Sequence, residues 1–177
     1  MEPARRLTVV GEATHRDEAA GMLRFPGDAA LVRRGPVRSL IIACPDGCGE
    51  TLSINLDPRA GKAWRLRDRG GVTLFPSVWR DGGCDSHFVV WRDVILWCDR
   101  FEGGNREPPA DPSLTSKVLD LLDREKPQDA MGLAEALDET VWDVSRAANA
   151  LVEMGLADKS EPEGGAVFTR SANEERA

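Results

Sequence analysis

Two short segments concentrate the residues able to do chemistry: Cys44-Pro45-Asp46-Gly47-Cys48-Gly49-Glu50 and Gly83-Cys84-Asp85-Ser86-His87. The first is a CxxxC on a glycine-containing turn behind an apolar strand, and the second is a CxxH behind a Gly-Gly pair. Zinc takes about four nitrogen or sulfur ligands in a tetrahedron, and two short loops that each project a ligand pair are a common way to supply them. Two ligand sets fit. In one, Cys44, Cys48, Cys84 and His87 hold zinc and Cys98 is a buried bystander, as free cysteines often are. In the other, all four cysteines bind and His87 is released to act as a base. CxxH is the more compact pair and Cys98 ends a strand, which favours the first set.

The strands around these loops suggest what His87 could serve. If HFVVW (87–91) and VILWC (94–98) form a hairpin across the two-residue Arg92-Asp93 turn, His87 lies opposite Cys98. If VTLFPSVW (72–79) pairs with the same strand across residues 80–84, Ser77 lies opposite His87. A one-residue slip would place such partners on opposite faces of the sheet. Glu50, two residues after Cys48, suits a partner of a metal ligand or a general base. A closed four-ligand site, however, is structural by default and stabilises a small β-domain without any reaction. Trp79, Trp91 and Trp97 are expected in the core or at the rim of the sheet. His15 sits in a polar stretch and is expected to be solvated.

Before residue 101 the chain is a series of short apolar or alternating runs broken by turn residues: RLTVV, ALVRR, VRSLIIAC, ETLSINL, AWRLR, VTLFPSVW, HFVVW and VILWC. These read as β-strands, with one helical turn at RDEAAGML. FEGGNREPPADPS (101–113) reads as a linker. Beyond it the apolar period becomes helical. Leu114, Val118, Leu121 and Leu122 follow Ser113 as N-cap; MGLAEAL (131–137) gives a second helix; and Val141, Val144, Ala148, Leu151 and Val152 stripe a third, closed by Gly155. LADKSEPEGGAVFTR then reads as a hairpin. The expected fold class is α+β. A small antiparallel β-rich zinc-binding domain (1–105) and a linker (106–112) precede a three-helix winged-helix domain (113–177).

The chain has 177 residues, 41% apolar and 30% charged, with no apolar run long enough for a membrane. Its opening residues contain no uninterrupted apolar stretch, so no secretory signal and a cytoplasmic location are expected. In that reducing setting four cysteines point to a metal rather than to disulfides. Residues 1–110 carry 16 Lys/Arg against 15 Asp/Glu, and residues 111–177 carry 7 against 15, balances of +1 and −8. Duplex affinity comes largely from neutralising phosphates with cations, so this acidic tail argues against DNA and for a protein partner.

CPDGCGE (44–50), TLFPSVW (73–79) and GCDSHF (83–88), in that order, resemble a bacterial zinc-binding domain family whose pattern runs CPxGCGx, a Ser-Pro-Ser-like strand, then GCxxH. The resemblance spans roughly residues 29–98. Members are encoded near phage-type genes and, in some operons, beside E1-like, E2-like and ubiquitin-like proteins. That context implies a peptidase or deconjugating role on a ubiquitin-like modifier, with a ubiquitin-like protein or conjugation enzyme as partner. The resemblance also implies metal ligation by Cys44, Cys48, Cys84 and His87, with Ser77 and Glu50 as possible catalytic groups. Many members have a further cysteine where this chain has Asp46. Two mechanisms follow: a zinc-bound water with Glu50 as base, or attack by Ser77 with His87 taking its proton. The alternative function is a non-catalytic zinc-stabilised adaptor whose winged helix docks a protein. A DNA-binding regulator is weaker on charge grounds.

Overall fold

A computed structural model describes residues 3–98, 106–162 and 165–172. Part of the expected linker (101–105) and part of the Gly-Gly turn (163–164) therefore lie outside the described residues. The fold is α+β, and the chain divides into two compact units, residues 1–108 and 109–177. Among the described residues no helix is long and apolar enough to cross a membrane.

The first unit contains strands β1 (Thr8–Ala13), β2 (Asp28–Arg33), β3 (Val37–Ala43), β4 (Thr51–Asn55), β5 (Arg65–Arg67), β6 (Thr73–Trp79), β7 (His87–Trp91) and β8 (Val94–Trp97), with helix α1 (Arg16–Met22) after β1. They form two four-stranded sheets, ordered β1-β2-β3-β4 and β5-β6-β7-β8. The sequence predicts antiparallel pairing throughout, and one pair departs from it: β1 runs parallel to β2. Parallel neighbours need a crossover of about a dozen residues or more, and α1 with its flanks provides it. His15 is less idle than expected. It N-caps α1 in a capping box with Glu18, and its Nδ1 lies 2.7 Å from Arg34 Nη2.

One hydrophobic cluster draws on both sheets, joining Leu40, Ile42, Leu52 and Ile54 to Leu74, Val78, Phe88, Val90, Ile95 and Trp97. A second cluster, Ala19, Ala30, Val32 and Ile41, lies between α1 and the other face of the first sheet. The first sheet is therefore covered on both faces. This accounts for the unbroken apolar run Leu40-Ile41-Ile42-Ala43, since a strand buried on two sides does not alternate. The inner face of the second sheet is fully buried, whereas its other face is half-buried at Phe75, Ser77, His87 and Val89. Residues 74, 78, 88, 90, 95 and 97 face the core, so Phe75, Ser77, Trp79, His87 and Val89, of opposite parity, share its outer face.

The β7–β8 hairpin has the predicted register, Phe88 facing Trp97 and Trp91 facing Val94. Arg92 and Asp93, with φ of 49° and 65°, form its two-residue turn. The β6–β7 register differs from expectation. Leu74 pairs with Val90 as predicted, but the ladder shifts before Val78 and Trp79 faces His87. Pro76 lies in this interval and has no N–H to donate, so a regular ladder cannot pass through it. A two-residue shift preserves the face, and Ser77 remains on the same side as His87.

The second unit comprises α2 (Pro112–Leu121), β9 (Gln128–Asp129), α3 (Ala130–Leu137), α4 (Val141–Glu153), β10 (Ala157–Ser160) and β11 (Val167–Arg170), its strands ordered β10-β11-β9. Leu114, Val118, Leu133, Val144, Ala148, Leu151 and Phe168 build its core. The N-cap of α2 is Asp111, not Ser113; Asp111 accepts from the Ser113 and Leu114 N–H groups, and Pro112 takes the first helical position. Gly155, with φ of 72°, follows the end of α4. Thr140 caps the start of that helix: its Oγ1 accepts from Asp143 N–H at 3.2 Å and donates to the buried Asp143 carboxylate at 2.8 Å. We expect Thr140→Ala to lose about 1–2 kcal/mol of stability, read from urea unfolding of the full chain.

Candidate metal cluster and serine–histidine pair

The loop between β3 and β4 is closed by hydrogen bonds from Cys44 N–H to Glu50 O and from Gly47 N–H to Cys44 O. Gly47 and Gly49 adopt φ of 84° and 87°, where a side chain would be strained. Asp46 Oδ1 accepts from Cys48 N–H at 2.7 Å, an Asx turn that points the carboxylate back into the loop. The loop between β6 and β7 is pinned by Arg80 N–H on Ser86 O at 2.8 Å. The two loops meet. The Sγ atoms of Cys44, Cys48 and Cys84 and a carboxylate oxygen of Asp46 lie within 4.8 Å of one another, an arrangement that could hold a metal ion.

The Cys44–Cys84 Sγ separation is 3.6 Å and Cys44 Sγ lies 3.6 Å from Asp46 Oδ1. A tetrahedron with bonds of about 2.3 Å to sulfur has edges of about 3.8 Å, so these gaps are ligand-like. They are far too long for a disulfide, and all four cysteines are free thiols. The fully buried Ser86 places its hydroxyl 3.0 Å from Cys84 Sγ and 3.4 Å from Cys44 Sγ. Burial pushes the Cys44 thiol up to about 12, with Ser86 opposing. Burial raises Cys84 as well, yet hydrogen bonds led by Ser86 bring it below the ordinary thiol value. Burial also acts upward on Asp46, and is outweighed by hydrogen bonds led by Cys48.

His87 and Cys98, between which the sequence divides the fourth ligand position, both lie outside this group, and Asp46 stands in that place. The reason lies in strand parity. Cys98 follows β8 and its N–H donates to His87 O at 2.9 Å, so these two are cross-strand partners, and as neighbours of the core-facing Phe88 and Trp97 they fall on the outer face of the sheet. Cys98 is exposed rather than a buried bystander. The signal for Asp46 was available, since an acidic residue between two cysteines on one turn offers an oxygen ligand.

His87 instead faces a hydroxyl: its Nε2 lies 3.1 Å from Ser77 Oγ. The diagonal contact follows from the two-residue shift, which brings Trp79 opposite His87 and leaves Ser77 two positions back on the same face. Trp79 is 64% exposed, and its ring centroid lies 5.7 Å from that of His87. Trp91 and Trp97 are buried as expected. The indole Nε1–H of Trp64 donates to Ser77 O at 3.2 Å and fixes the backbone beneath the hydroxyl. With its ring proton on Nδ1, His87 can take the Ser77 proton at Nε2, the geometry of an activated nucleophile. Glu50 is exposed and its carboxylate binds Arg80 Nη2 at 3.2 Å. Asp46, Trp64 and Ser86 are thus site residues that sequence reasoning missed.

A family model described as a bacterial ubiquitination-like system serine protease, BubE, matches residues 15–98. The matched segment contains both loops, Ser77 and His87. Its description agrees with the ubiquitin-like conjugation context implied by the sequence motifs, and such a system involves protein partners. No curated protein and no solved structure matches the chain.

Proposed function

We propose that this protein is a serine peptidase that cleaves conjugates or precursors of a ubiquitin-like modifier. The observation that carries the reading is the 3.1 Å contact of Ser77 Oγ with His87 Nε2 on the outer sheet face, within a segment similar to a serine protease family. Ser77 Oγ attacks the scissile carbonyl carbon as its proton passes to His87 Nε2. When the C–N bond breaks, His87 returns that proton to the leaving amine and Ser77 carries the acyl group. Water, deprotonated by His87, then hydrolyses the ester and restores the serine. The alternative base, Glu50, is engaged with Arg80 and is not among the grouped ligand atoms. A fluorophosphonate probe tests the reading directly. It should label Ser77 in the intact protein and leave Ser77→Ala unlabelled; absence of labelling at Ser77 with cleavage intact would exclude it.

The metal cluster in this reading holds zinc through Cys44, Cys48, Cys84 and Asp46, a donor set of thiolates and one carboxylate that suits this ion. Zinc held there would supply a charge that draws the two loops together; the loop residues themselves position the sheet ends that carry Ser77 and His87. Asp46→Cys should slow zinc loss to a chromogenic chelator and Asp46→Ala should speed it, each by about tenfold or more. Equal rates for all three proteins would remove Asp46 from the ligand set.

For residues 109–177 we propose a winged-helix module that docks a protein. Three helices precede the β10–β11 hairpin. On α4 Arg146 lies 3.9 Å from Glu153, and beside β10 Lys159 is 2.8 Å from Glu161. Cations engaged by carboxylates are poorly placed to neutralise phosphates.

A further inference from the structure

The outer face of the second sheet has a charge pattern beyond what proton transfer needs. β5 is the edge strand of that sheet, and Arg65, which pairs with Phe75, shares the outer face with Ser77 and His87. Residues 58–69 hold five cations, Arg59, Lys62, Arg65, Arg67 and Arg69, against the single acid Asp68, within a chain of net charge −7. Arg59 is engaged by Asp57, whereas Arg65 is exposed. Round the β5 edge, on the side where the two sheets meet, lies a groove of about 620 Å³ with apolar walls from Val37, Leu56, Pro58, Trp64 and Leu66, the last two packed against the shared core, and with Arg65 and Arg67 at its rim on the outer side. Trp64 connects this groove to the nucleophile, because the same indole that lines it donates to Ser77 O at 3.2 Å. On the other flank stand the exposed Trp79 and, beyond it, the exposed Asp81 and Asp85 of the β6–β7 loop.

We infer that this face binds the substrate as an extended peptide segment that turns an apolar side chain over the β5 edge into the groove and sets an acidic side chain against Arg65, on one side of the scissile bond only. The inference rests on the serine-peptidase reading and names the substrate chemistry that reading leaves open. A carboxylate beside Arg65 gains an attraction that a lysine turns into repulsion, and an acidic residue on the opposite flank meets Asp81 and Asp85 instead. Apolar area removed from water in the groove supplies affinity, while the charge supplies discrimination. Trp79 contributes a broad surface beside His87 on which the peptide lies irrespective of charge.

The test uses the full chain and internally quenched octapeptides of Gly, Ala and Leu carrying a single Glu or a single Lys at each position in turn. At one position on one side of the cleaved bond, Glu should lower KM about fivefold relative to Lys, with kcat unchanged and the preference fading as salt rises. Arg65→Glu should invert that preference, and Trp79→Ala should raise KM for every peptide alike. A Glu-to-Lys ratio unaltered by Arg65→Glu, with cleavage intact, overturns the docking inference and leaves the peptidase reading standing. Binding of fluorescent Glu peptides to Ser77→Ala, measured by anisotropy and lost in Ser77→Ala/Arg65→Glu, supports docking even if no peptide is cleaved, and in that case only the peptidase reading fails. Displacement of those peptides by a single-stranded oligonucleotide at physiological salt would overturn the inference in favour of a nucleic-acid surface.

Discussion

Replacing Ser77 by alanine is expected to lower kcat for cleavage of a ubiquitin-like fusion by about a thousandfold or more, with KM nearly unchanged. Removing the hydroxyl deletes the bond-forming atom while leaving the sheet intact, because Ser77 is held through its backbone carbonyl by Trp64. His87→Ala should cost a similar amount, since Nε2 then no longer stands 3.1 Å from Oγ to accept the proton. The double variant should be little worse than either single one, the non-additivity of groups that act as a unit. Glu50→Gln should retain activity to within a few-fold, its carboxylate being occupied by Arg80. The reverse pattern, full cleavage by Ser77→Ala and loss in Glu50→Gln, would point to a metal-activated water and displace the nucleophilic mechanism.

Withdrawing the metal is expected to be the most severe perturbation of stability. Cys44, Cys48, Cys84 and Asp46 belong to loops about 40 residues apart in sequence; burial raises the Cys44 and Cys48 thiols, whereas at Cys84 burial is outweighed by hydrogen bonds led by Ser86, which lower it. A cation bound there would replace the thiol protons and join the loops, so that its binding free energy would become folding free energy for this unit. Stripping it should lower stability by an amount on the order of several kcal/mol, and the unfolding midpoint by about 10 °C or more. Hydrogen exchange should accelerate first at residues 44–50 and 80–86, where the backbone closures are few. A protein purified free of metal, with its unfolding midpoint unmoved by zinc, would show that hydrogen bonding and core packing alone hold the loops. Loading the thiols should also release protons, detectable as a buffer-dependent binding enthalpy.

The residues themselves determine much of the local structure. All eight strands of the first unit and the helix at residues 16–22 are visible in the apolar periodicity, because each is a short run bounded by Gly, Pro or Asp. The β7–β8 register is readable for a related reason: a two-residue turn leaves one way to pair the flanking strands. Helix punctuation at Asp111-Pro112 and Gly155 is equally local, although the cap itself, Asp111, stands two residues before Ser113. The cysteine-bearing loops nominate a metal-ligand cluster by residue type alone.

Tertiary structure decided the rest, and each case turns on contacts between segments distant in sequence. Whether β1 runs parallel or antiparallel to β2 depends on how α1 packs over the sheet, and no periodicity encodes that. The two-residue β9 earns its place only by pairing with β11. Pro76 is visible in the sequence, yet the size of the shift it accompanies is set by where the ladder resumes, and that shift puts His87 diagonal to Ser77. The fourth group beside the three thiols is Asp46 because the Asx turn aims its carboxylate inward, while strand parity sends His87 to the outer face. Residue type and spacing thus nominate chemical groups, but the faces on which they converge follow from long-range pairing, whose free energy is shared among many contacts and written in no single motif.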